Sequence, residues 1–440
     1  MSNRTNLNGR PVYIVDGSRT PFLKVRGQPG VFSASDLAVN TCRELLLRQA
    51  FNPNDIDEVI TGCVMPSPEE ANIARLIALR LDCGFGVPAW TVQRNCASGM
   101  QALDCAALNI ATGRADLILA GGTEAMSRAP ILWSEAMVKW LADWQMARSL
   151  PKRLQVISQF RLKQLKPLFA LLRGLTDPIV NLSMGQTAEK IAAQYQITRE
   201  QMDGFAVESH QRLAKAQDMK NFPEITPLYD PFVGCIEADT GLRRDSQLAQ
   251  LAKLKPVFDK PFGLVTAANS SQVSDGAAFL ILASYDAVKK YKLPVMGRII
   301  DVQWASLDPA TMGYGPIHAM TPLLERQRLK LSDIDYWEIN EAFAAQVLAC
   351  VAAWQDPNYC QQFLGLSQPM GELNLAKVNV DGGAIALGHP LGASGARVVL
   401  HLLHVLNRTQ SKRGIASLCI GGGQGGAMLI ETLTGDAIHE

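Results

Sequence analysis

The sequence predicts an α/β fold built from two related halves, and three observations lead to this prediction. Short apolar runs rich in β-branched residues alternate with segments of helical period, which is typical of a mostly parallel sheet covered by helices on both faces. The last third of the chain repeats the pattern of the first third. The 440 residues are 48% hydrophobic and only 19% charged, so large cores are expected, and a disordered chain or a single small module is not.

The first part of the chain shows the alternation most clearly. Val12–Val15 is a short apolar run that Pro11 precedes and Asp16-Gly17 closes, so it is predicted to be a strand. A segment of helical period follows at 34–50. The same alternation then continues, with strands predicted at 58–64, 89–93 and 117–122 and helices at 71–81 and 98–112.

The repeat relates two helices that begin with Ser-Gly. Ser98-Gly99 begins a helix that leads to the strand ending in Gly121-Gly122. Ser394-Gly395 begins a second helix, predicted at 396–406, which leads to a strand at 415–420 and then to further glycines. Because the offset between the two copies is nearly constant, the chain is predicted to contain two duplicated α/β halves.

Residues 127–182 differ from the rest because they carry nine Lys or Arg and only three Asp or Glu. Apolar residues recur at helical spacing in 133–144 and again in 150–157, which predicts two basic amphipathic helices. Two interpretations stay open. Either the apolar faces pack onto the body of the protein and the cations are solvated, or the faces form a surface for a membrane or a partner protein.

Charge and cysteine content exclude several classes of protein. Lys plus Arg number 42 against 41 Asp plus Glu, a net charge of +1, so no nucleic-acid partner is expected. The nine cysteines show no CxxC or Cys/His spacing typical of zinc, which predicts reduced thiols and no metal site. Neither a signal peptide nor a membrane-spanning run is recognisable. We expect a bacterial cytoplasmic protein, peripheral at the inner membrane if the basic segment binds lipid, with the mitochondrial matrix as the open alternative.

Two residues stand out as candidates for chemistry. Cys96 lies between a predicted strand and an Ala-rich helix, where the helix N-terminus would lower the pKa of the thiol and make it a nucleophile. The alternative is an inert buried cysteine. His389 lies in the glycine-rich segment 382–395 and precedes Pro390, so a stiff backbone would hold the imidazole as a base or an oxyanion donor. The alternative is a loop histidine with satisfied hydrogen bonds.

A third candidate is Cys419, at the end of the apolar strand of the second half. The glycines that follow, Gly421–Gly426 with one glutamine, expose backbone N–H groups that suit an anionic oxygen. A buried strand cysteine is the alternative. Since strand ends of a duplicated α/β fold converge at the sheet edges, Cys96, His389 and Cys419 are predicted to meet.

Four motifs occur in order along the chain. They are Asn95-Cys-Ala-Ser-Gly99, Asn340-Glu-Ala-Phe343, Gly388-His-Pro-Leu-Gly-Ala-Ser-Gly395 and Cys419-Ile-Gly-Gly-Gly423. With these motifs the chain resembles the thiolase family, from about residue 10 to residue 432. The resemblance implies a five-layered αβαβα fold of two βαβαβαββ halves with an inserted loop domain.

The resemblance also implies where the domains lie. The N-terminal half would comprise 1–126 and be completed by about 255–293, the inserted loop domain with the basic helices would comprise 127–254, and the C-terminal half 294–440. Thiolases are typically dimers or tetramers, so a homo-oligomer is implied.

Carried over by motif, Cys96 would attack the keto carbonyl of a 3-ketoacyl-CoA and hold the acyl group as a thioester. His389 would deprotonate Cys96, and Cys419 would protonate the departing acetyl-CoA carbanion and then activate the incoming CoA thiol. Asn340 would position a water that holds the enolate oxygen together with His389. Backbone N–H groups of Cys96 and Gly421 would face the thioester oxyanion. No cofactor is expected, because CoA is a substrate.

Two further residues are implied to contact CoA. Ser271 aligns with a family serine near the pantetheine, and Met184 lies in a Met-Gly segment beside a CoA-binding position. That position is a histidine in many relatives and is Ser183 here. A second departure is His318, which stands where many relatives have proline.

The basic insertion resembles that of the thiolase subunits of fatty-acid β-oxidation trifunctional complexes. This implies medium or long acyl chains and a partner subunit with hydratase and dehydrogenase activities. Those relatives usually carry His-Glu-Ala-Phe, whereas this chain carries Asn-Glu-Ala-Phe at 340–343. The predicted function is therefore that of a 3-ketoacyl-CoA thiolase in fatty-acid β-oxidation.

Other functions make different demands on the sequence. An acetoacetyl-CoA thiolase working in condensation would keep all the same residues and stays open as the alternative. A ketoacyl synthase has no need of Cys419, and a non-catalytic lipid-binding subunit would be expected to lose at least one chemical residue. A dinucleotide site at Gly421–Gly426 lacks the acidic residue expected about 20 positions later.

Overall fold

The structure, a computed structural model, describes residues 9–433. Its strands are β1 (Val12–Arg19), β2 (Leu23–Lys24), β3 (Glu58–Gly62), β4 (Ala89–Val92), β5 (Leu117–Ala125), β6 (Ile131–Leu132), β7 (Leu168–Phe169), β8 (Leu228–Asp230), β9 (Gly234–Ile236), β10 (Ser274–Ala283), β11 (Gly297–Ser306), β12 (Tyr336–Ile339), β13 (Arg413–Ile420) and β14 (Gln424–Glu431). Its helices are α1 (Ala34–Leu47), α2 (Ile73–Arg80), α3 (Ser98–Ala111), α4 (Glu135–Met146), α5 (Leu150–Gln159), α6 (Ala170–Gly174), α7 (Met184–Gln194), α8 (Arg199–Asp218), α9 (Leu248–Leu251), α10 (Tyr285–Tyr291), α11 (Gly315–Gln327), α12 (Ala344–Gln355), α13 (Pro357–Phe363), α14 (Ala384–Leu387) and α15 (Leu391–Thr409).

The large sheet joins the two halves of the chain. Its strand order is β12-β13-β14-β11-β1-β10-β5-β3-β4, with β2 added beside β10. In each half, parallel strands lie at the outer edge and antiparallel strands lie towards the middle. The halves meet where β1 pairs with β11, Tyr13 opposite Arg298. The predicted α/β class is confirmed, and the sheets of the two halves form one continuous sheet.

Helices cover both halves of this sheet and also lie between them. Helix α15 contacts β5 and β10 of the first half and β12 and β13 of the second, and it packs against α3. Helix α1 contacts the strands of the first half, and α11 those of the second. Three hydrophobic clusters fill the spaces between these layers. Almost every residue of α15 is buried, as expected for a helix enclosed on all sides.

The Ser-Gly repeat marks the place where α3 and α15 touch. A Cβ atom on Gly99 would lie 2.8 Å from the backbone N of Ala396, and one on Gly395 would lie 2.5 Å from the backbone N of Met100. Only glycine lets the two backbones approach this closely. This contact also explains why α15 begins at Leu391, five residues before its predicted start: tertiary packing outweighs the low helix propensity of glycine.

A pair of aspartates shows the same duplication. Asp57 accepts hydrogen bonds from the backbone N–H groups of residues 116 and 117, where β5 begins. Asp335 accepts equivalent bonds from the N–H groups of residues 412 and 413, where β13 begins. Each carboxylate thus holds the start of the neighbouring parallel strand in its half.

The predicted insertion 127–254 divides into two parts. Helices α7 and α8 pack on α12, and α7 also packs on the turn Pro309–Tyr314, so both join the outer layer of the second half. Helices α4, α5 and α6 instead lie at the surface, and most of their apolar side chains are exposed. The predicted boundaries at 126, 254 and 293 stay predictions, and the predicted outer segments 1–8 and 434–440 lie outside the described residues. No helix within residues 9–433 has both the length and the apolar character needed to span a bilayer.

Candidate active site

Four of the predicted site residues lie at the ends of elements that face the central helices. Cys96 lies in the turn between β4 and α3, and Cys419 is the second-last residue of β13. Asn340 directly follows β12, and His389 lies between α14 and α15. The Cys96 motif is more than 240 residues away from the other three in the chain, and the tertiary fold brings it into contact with the Cys419 motif while placing Asn340 against His389.

The first and last motifs are joined directly. The Asn95 side-chain amide donates to the carbonyl of Gly421 at 2.8 Å. The Gly421 N–H in turn points at the Cys96 sulfur, together with the N–H of Cys96 itself. The Cys419 thiol lies close enough for Cys96 to influence its pKa. The structure therefore joins the Cys96 turn to the glycine turn that follows Cys419, with two backbone donors at the Cys96 sulfur.

A tight turn presents Cys96. Asn95 adopts a left-handed conformation with φ of 44°, which asparagine tolerates better than most residues. The Ser98 hydroxyl donates to the Asn95 carbonyl at 2.7 Å and accepts from the Arg94 N–H at 2.9 Å. The serine of the repeated Ser-Gly pair thus holds the turn closed while its glycine packs against α15.

The expectation that the helix N-terminus would lower the pKa of Cys96 is wrong. Burial raises the pKa of this thiol to about 11, and the N–H groups of Gly421 and Cys96 offset that effect only in part. Desolvation disfavours a thiolate more strongly here than the helix dipole favours it. Cys96 therefore rests as a neutral thiol at pH 7 and needs a base in order to attack a carbonyl.

His389 is a neutral base in a defined tautomer. Its Nδ1 lies 2.6 Å from the hydroxyl oxygen of Ser394. The Ser394 hydroxyl hydrogen is already donated to the Pro390 carbonyl at 2.8 Å, so the oxygen can only accept, and Nδ1 must carry the proton. Burial, helped by the Arg397 charge, lowers the pKa of His389 to about 3. At neutral pH the Nε2 atom therefore keeps its lone pair.

Asn340 lies against this histidine and presents an unused acceptor. Its Nδ2 is 3.4 Å from His389 Nε2, and its backbone N–H donates to Ser417 at 2.9 Å. The Asn340 side chain is buried, and its Oδ1 atom has no hydrogen-bond partner among the described residues. Leaving a buried acceptor unpaired costs about 1–3 kcal/mol. The arrangement therefore suits a bound water or a substrate donor at Oδ1.

The glutamate of the same motif fixes the Asn340 loop. The buried Glu341 carboxylate accepts hydrogen bonds from Ser209 at 2.7 Å and from Asn379 at 2.9 Å. It also accepts from the Ile385 N–H just before the His389 turn. One carboxylate thus connects α8, the Asn340 loop and α14.

Cys419 is buried within the strand and is also protonated at rest. Burial raises the pKa of its thiol well above the usual value, and the neighbouring thiol of Cys96 raises it further. A buried protonated thiol can donate a proton to a carbanion formed beside it.

A cavity of about 300 Å³ opens onto Cys96. Its walls come from the glycine turn at 421–422, from Met184 at the start of α7, and from α6 and the loop that follows it, 170–178. Val64 and Met65 after β3, Gln93 and Asn95 before Cys96, and Leu391 of α15 complete the lining. The basic segment therefore covers the catalytic cavity with its last helix.

The two predicted CoA contacts differ in position. Met184 lines the cavity, and its sulfur would lie 3.2 Å from a Cβ atom on Gly421. Ser271 does not line this cavity. Its backbone N–H instead donates to Ala342 at 2.9 Å, which ties it to the Asn340 loop.

The two departures from the family pattern are explained locally. Ser183 caps the N-terminus of α7, because its hydroxyl oxygen accepts a hydrogen bond from the Gln186 N–H. His318 lies in α11 with its Nε2 atom 2.9 Å from the Tyr359 hydroxyl. Burial lowers the pKa of His318 to about 4, so it is a neutral core residue.

Sequence reasoning missed two residues that touch the site. Ser394 attracts attention in the sequence only as part of the repeat, although its spacing of five from His389 within one motif is a usable signal. Glu124 follows Gly121-Gly122 at the end of β5 and has no charged neighbour in the sequence to draw attention to it. Within residues 9–433, no group of His, Cys, Asp and Glu side chains is arranged to hold a metal ion.

Comparison with known proteins agrees with this geometry. The family model for the thiolase N-terminal domain matches residues 12–286, and that for the thiolase C-terminal domain matches residues 293–432. A 3-ketoacyl-CoA thiolase of Yersinia pestis (strain Pestoides F) is 37% identical over 426 residues, which cover 96% of this chain and 97% of that protein.

Two solved structures are similar over nearly the whole chain. Human mitochondrial 3-ketoacyl-CoA thiolase in complex with CoA superposes with a TM-score of 0.83 at 36% identity, covering 98% of this chain and 100% of that one. The Bacillus anthracis acetyl-CoA acetyltransferase superposes with a TM-score of 0.82 at 35% identity, covering 97% and 100%. Two matched domain models in tandem, together with a relative that is 37% identical over 96% of the chain, show that this chain belongs to the thiolase family.

Proposed function

We propose that this chain is a 3-ketoacyl-CoA thiolase of fatty-acid β-oxidation, which uses CoA to cleave a 3-ketoacyl-CoA into acetyl-CoA and a shortened acyl-CoA. The observation that carries the proposal is a protonated Cys96 thiol at a cavity that Leu391 of the His389 turn and Gly421 of the Cys419 motif also line. Carbon–carbon cleavage with thiol exchange needs one thiol to hold the acyl group and a second group to deliver and remove a proton.

In the first half-reaction, His389 Nε2 takes the proton of Cys96, and the thiolate attacks the keto carbonyl. The bond between C2 and C3 then breaks, leaving the acyl group on Cys96 and the electron pair on the acetyl-CoA enolate. Cys419 protonates the enolate carbon and becomes a thiolate. The resting protonation states allow a transfer in this direction, because the histidine begins unprotonated and the thiol begins protonated.

In the second half-reaction, the Cys419 thiolate takes the proton of CoA, and the CoA sulfur attacks the acyl thioester. Cys96 leaves as a thiolate and recovers its proton from His389, so both thiols and the imidazole return to their starting states. The N–H groups of Cys96 and Gly421 converge at the sulfur that bears the acyl group, where they would stabilise the thioester oxyanion. A water at the unpaired Oδ1 of Asn340 would hold the enolate oxygen with His389.

CoA enters this scheme as a substrate, and no cofactor takes part in any step. Met184, at the cavity wall, is proposed to contact CoA, and the human relative has been solved in complex with CoA. Ser271 is proposed to lie near the pantetheine of CoA, where its backbone hydrogen bond to Ala342 in the Asn340 loop holds it.

The test of function is CoA-dependent thiolysis of 3-ketoacyl-CoA substrates from four to sixteen carbons. We expect activity that extends to the longer chains, because the cavity at Cys96 is lined largely by apolar side chains. Activity confined to the four-carbon substrate would favour the acetyl-CoA acetyltransferase alternative, to which the Bacillus anthracis relative corresponds by name. Absence of thiolysis at every chain length would refute both.

The domain division and the assembly remain part of the proposal. We propose halves at 1–126 with about 255–293 and at 294–440, with the loop domain 127–254 between them. A homo-oligomer, a dimer or tetramer, is supported by β4, which ends the sheet and carries the partly exposed Trp90. The mass of the protein in solution, measured by light scattering, tests the oligomeric state.

We further propose that the segment 131–173, here called the apolar-basic surface, binds anionic lipid headgroups. Large side chains in it are exposed, including Leu150 at 77% and Leu162 at 79%. The interpretation that its apolar faces pack onto the body of the protein is wrong for most of these side chains, although Trp140 stacks on Trp144 and contacts Phe160. A tryptophan-bearing apolar face among cations suits a membrane surface. Such binding would place the protein peripherally at a membrane.

Reversing three exposed cations tests this binding. Each cation near an anionic membrane contributes about 1 kcal/mol, so Lys152→Glu, Lys163→Glu and Lys166→Glu together should weaken binding to phosphatidylserine vesicles about 100-fold. The measurement is vesicle sedimentation at physiological salt. The matched control reverses the exposed Lys253, Lys255 and Lys330 and should bind normally. If the unaltered protein does not bind the vesicles, lipid binding is refuted. The candidate partner for this surface is then a subunit with hydratase and dehydrogenase activities, and co-purification tests that interaction.

A further inference from the structure

Glu124 is a buried carboxylate beside the catalytic residues that the reaction scheme does not use. It lies near the end of β5, and its side chain has no exposed surface. One carboxyl oxygen accepts from the Val64 N–H and the Gly392 N–H, both at 2.9 Å. The other accepts from the Met65 N–H at 3.0 Å and contacts the Cys63 thiol at 3.7 Å. Every one of these partners is a donor.

These hydrogen-bond partners lie in the wall of the cavity and in the His389 turn. Val64 and Met65 form one wall of the cavity at Cys96. Gly392 lies three residues after His389, and a Cβ atom there would approach the Glu124 carboxyl to 3.0 Å. Glu124 is also close enough to Cys96 to influence that thiol. A single carboxylate thus connects the cavity wall, the His389 turn and the neighbourhood of the nucleophile.

We propose that ionised Glu124 is a positioning residue, which holds the His389 turn and the Val64–Met65 wall in place, and that protonation of Glu124 releases them and lowers activity. This deepens the proposed thiolase function and rests on it. A carboxylate accepts at four lone-pair sites, whereas a carboxylic acid must present one hydrogen of its own. Because the three backbone partners of Glu124 can only donate and the Cys63 sulfur is only a weak acceptor, that hydrogen would find no good acceptor without displacing an N–H group.

The neutral surroundings of Glu124 set the pH at which this happens. Burial raises the pKa of Glu124 to about 7, although the hydrogen bonds from Val64, Met65 and Gly392 act to lower it. The Cys63 thiol contacts Glu124, the Cys96 thiol is near enough to interact with it, and Glu70 in turn interacts with Cys63. Both thiols stay protonated at pH 7, since burial raises the pKa of each.

Protonation of Glu124 would therefore cause the acidic limb of the pH profile, that is, the fall in thiolysis activity as the pH decreases. His389, with its pKa lowered to about 3 by burial, and Cys96, with its pKa raised to about 11, both titrate far from neutrality. Activity should therefore rise as pH increases through about 7. The contribution of Glu124 to stability has the opposite sign, because its pKa is higher in the folded state than the ordinary value of 4.5. That contribution is present at low pH and is lost as the pH rises towards 7.

The experiment measures kcat and KM for 3-ketoacyl-CoA thiolysis from pH 5.5 to 9 in the unaltered protein and in two variants. We expect Glu124→Gln to lose about 10–100-fold in kcat, as small misplacements of catalytic groups do, and to lack the limb near pH 7. Glu124→Asp keeps an ionisable group, so the limb should remain and shift. The matched control is Glu70→Gln, which removes another buried carboxylate whose partners are Ser35 and Ser67. It should keep the limb.

Amide hydrogen exchange at Val64, Met65 and Gly392 gives a second readout that needs no substrate. After correction for intrinsic rates, protection of these amides should fall as pH decreases through 7 in the unaltered protein and should be low at every pH in Glu124→Gln. An unchanged limb in both Glu124 variants, or protection that is independent of pH, would overturn the proposal. Thiolysis that is absent at every pH, with protection that still follows pH, would instead refute the thiolase function and leave the positioning role supported.

Discussion

Replacing Cys96 with serine is expected to reduce thiolysis on the order of 10⁴-fold or more and to abolish the acyl-enzyme, as loss of a covalent nucleophile does in other enzymes. The structure explains the size of the effect. The Gly421 and Cys96 N–H groups converge on the Cys96 sulfur, and this thiol is near enough to Cys419 to influence its pKa. A serine hydroxyl has a much higher pKa than a thiol, so the neutral His389 would generate its alkoxide far less readily than the Cys96 thiolate.

The measurement for Cys96→Ser has two parts. Steady-state thiolysis gives the loss of rate, and intact-protein mass spectrometry after mixing with 3-ketoacyl-CoA shows whether an acyl group is attached. Cys105→Ser is the matched control, because Cys105 lies on the helix that follows Cys96, is also partly buried and does not line the cavity. Acylation of the Cys96→Ser variant at the normal rate would show that another residue is the nucleophile.

Replacing Cys419 with alanine is expected to give a different defect. Turnover should fall by roughly 10³-fold, because general acid–base catalysis contributes about 10²–10⁴-fold and here serves both half-reactions. Acylation of Cys96 should persist in part, since His389 and the backbone donors at Gly421 remain. The acyl-enzyme should then accumulate, because nothing removes the proton from the incoming CoA thiol.

Rapid-quench mass spectrometry tests this second result by following acylated Cys96 with and without CoA. Cys350→Ala is the matched control. Cys350 is a buried cysteine in the same core, near enough to influence the Cys419 thiol, and it donates to the Gly313 carbonyl away from the cavity. Normal turnover in Cys419→Ala would exclude the two-thiol scheme, whereas loss of acylation equal to the loss of turnover would confine Cys419 to the first half-reaction.

Much of the fold could be predicted from local sequence. The order β1, α1, β3, α2, β4, α3, β5 follows the predicted alternation closely, because short apolar β-branched runs and helical periodicity report local structure directly. The repeated Ser-Gly pairs also identified the two helices that cross at the centre, since only glycine permits the contact between the Gly99 and Gly395 backbones and their partner helix. Cys96, His389 and Cys419 were visible from their residue type and their positions at element ends, whereas Asn340 was proposed only through the resemblance of its motif to the thiolase family.

The electrostatic state of the site was not readable from the sequence. The helix start at Cys96 suggested a lowered pKa, but burial by segments hundreds of residues away raises it. The exposure of the apolar-basic surface was likewise left open by the sequence, because periodicity shows that a helix has an apolar face and does not show what covers it.

The sequence by itself therefore determined the α/β class, the duplication and the residues able to do chemistry, because these depend on local period and residue type. Only the tertiary structure decided that Cys96 rests as a thiol, that Ser394 fixes the tautomer of His389 and that Glu124 connects the cavity wall to the His389 turn. These properties depend on desolvation and on hydrogen bonds between segments that are distant in the chain, and both exist only after the two halves have packed together.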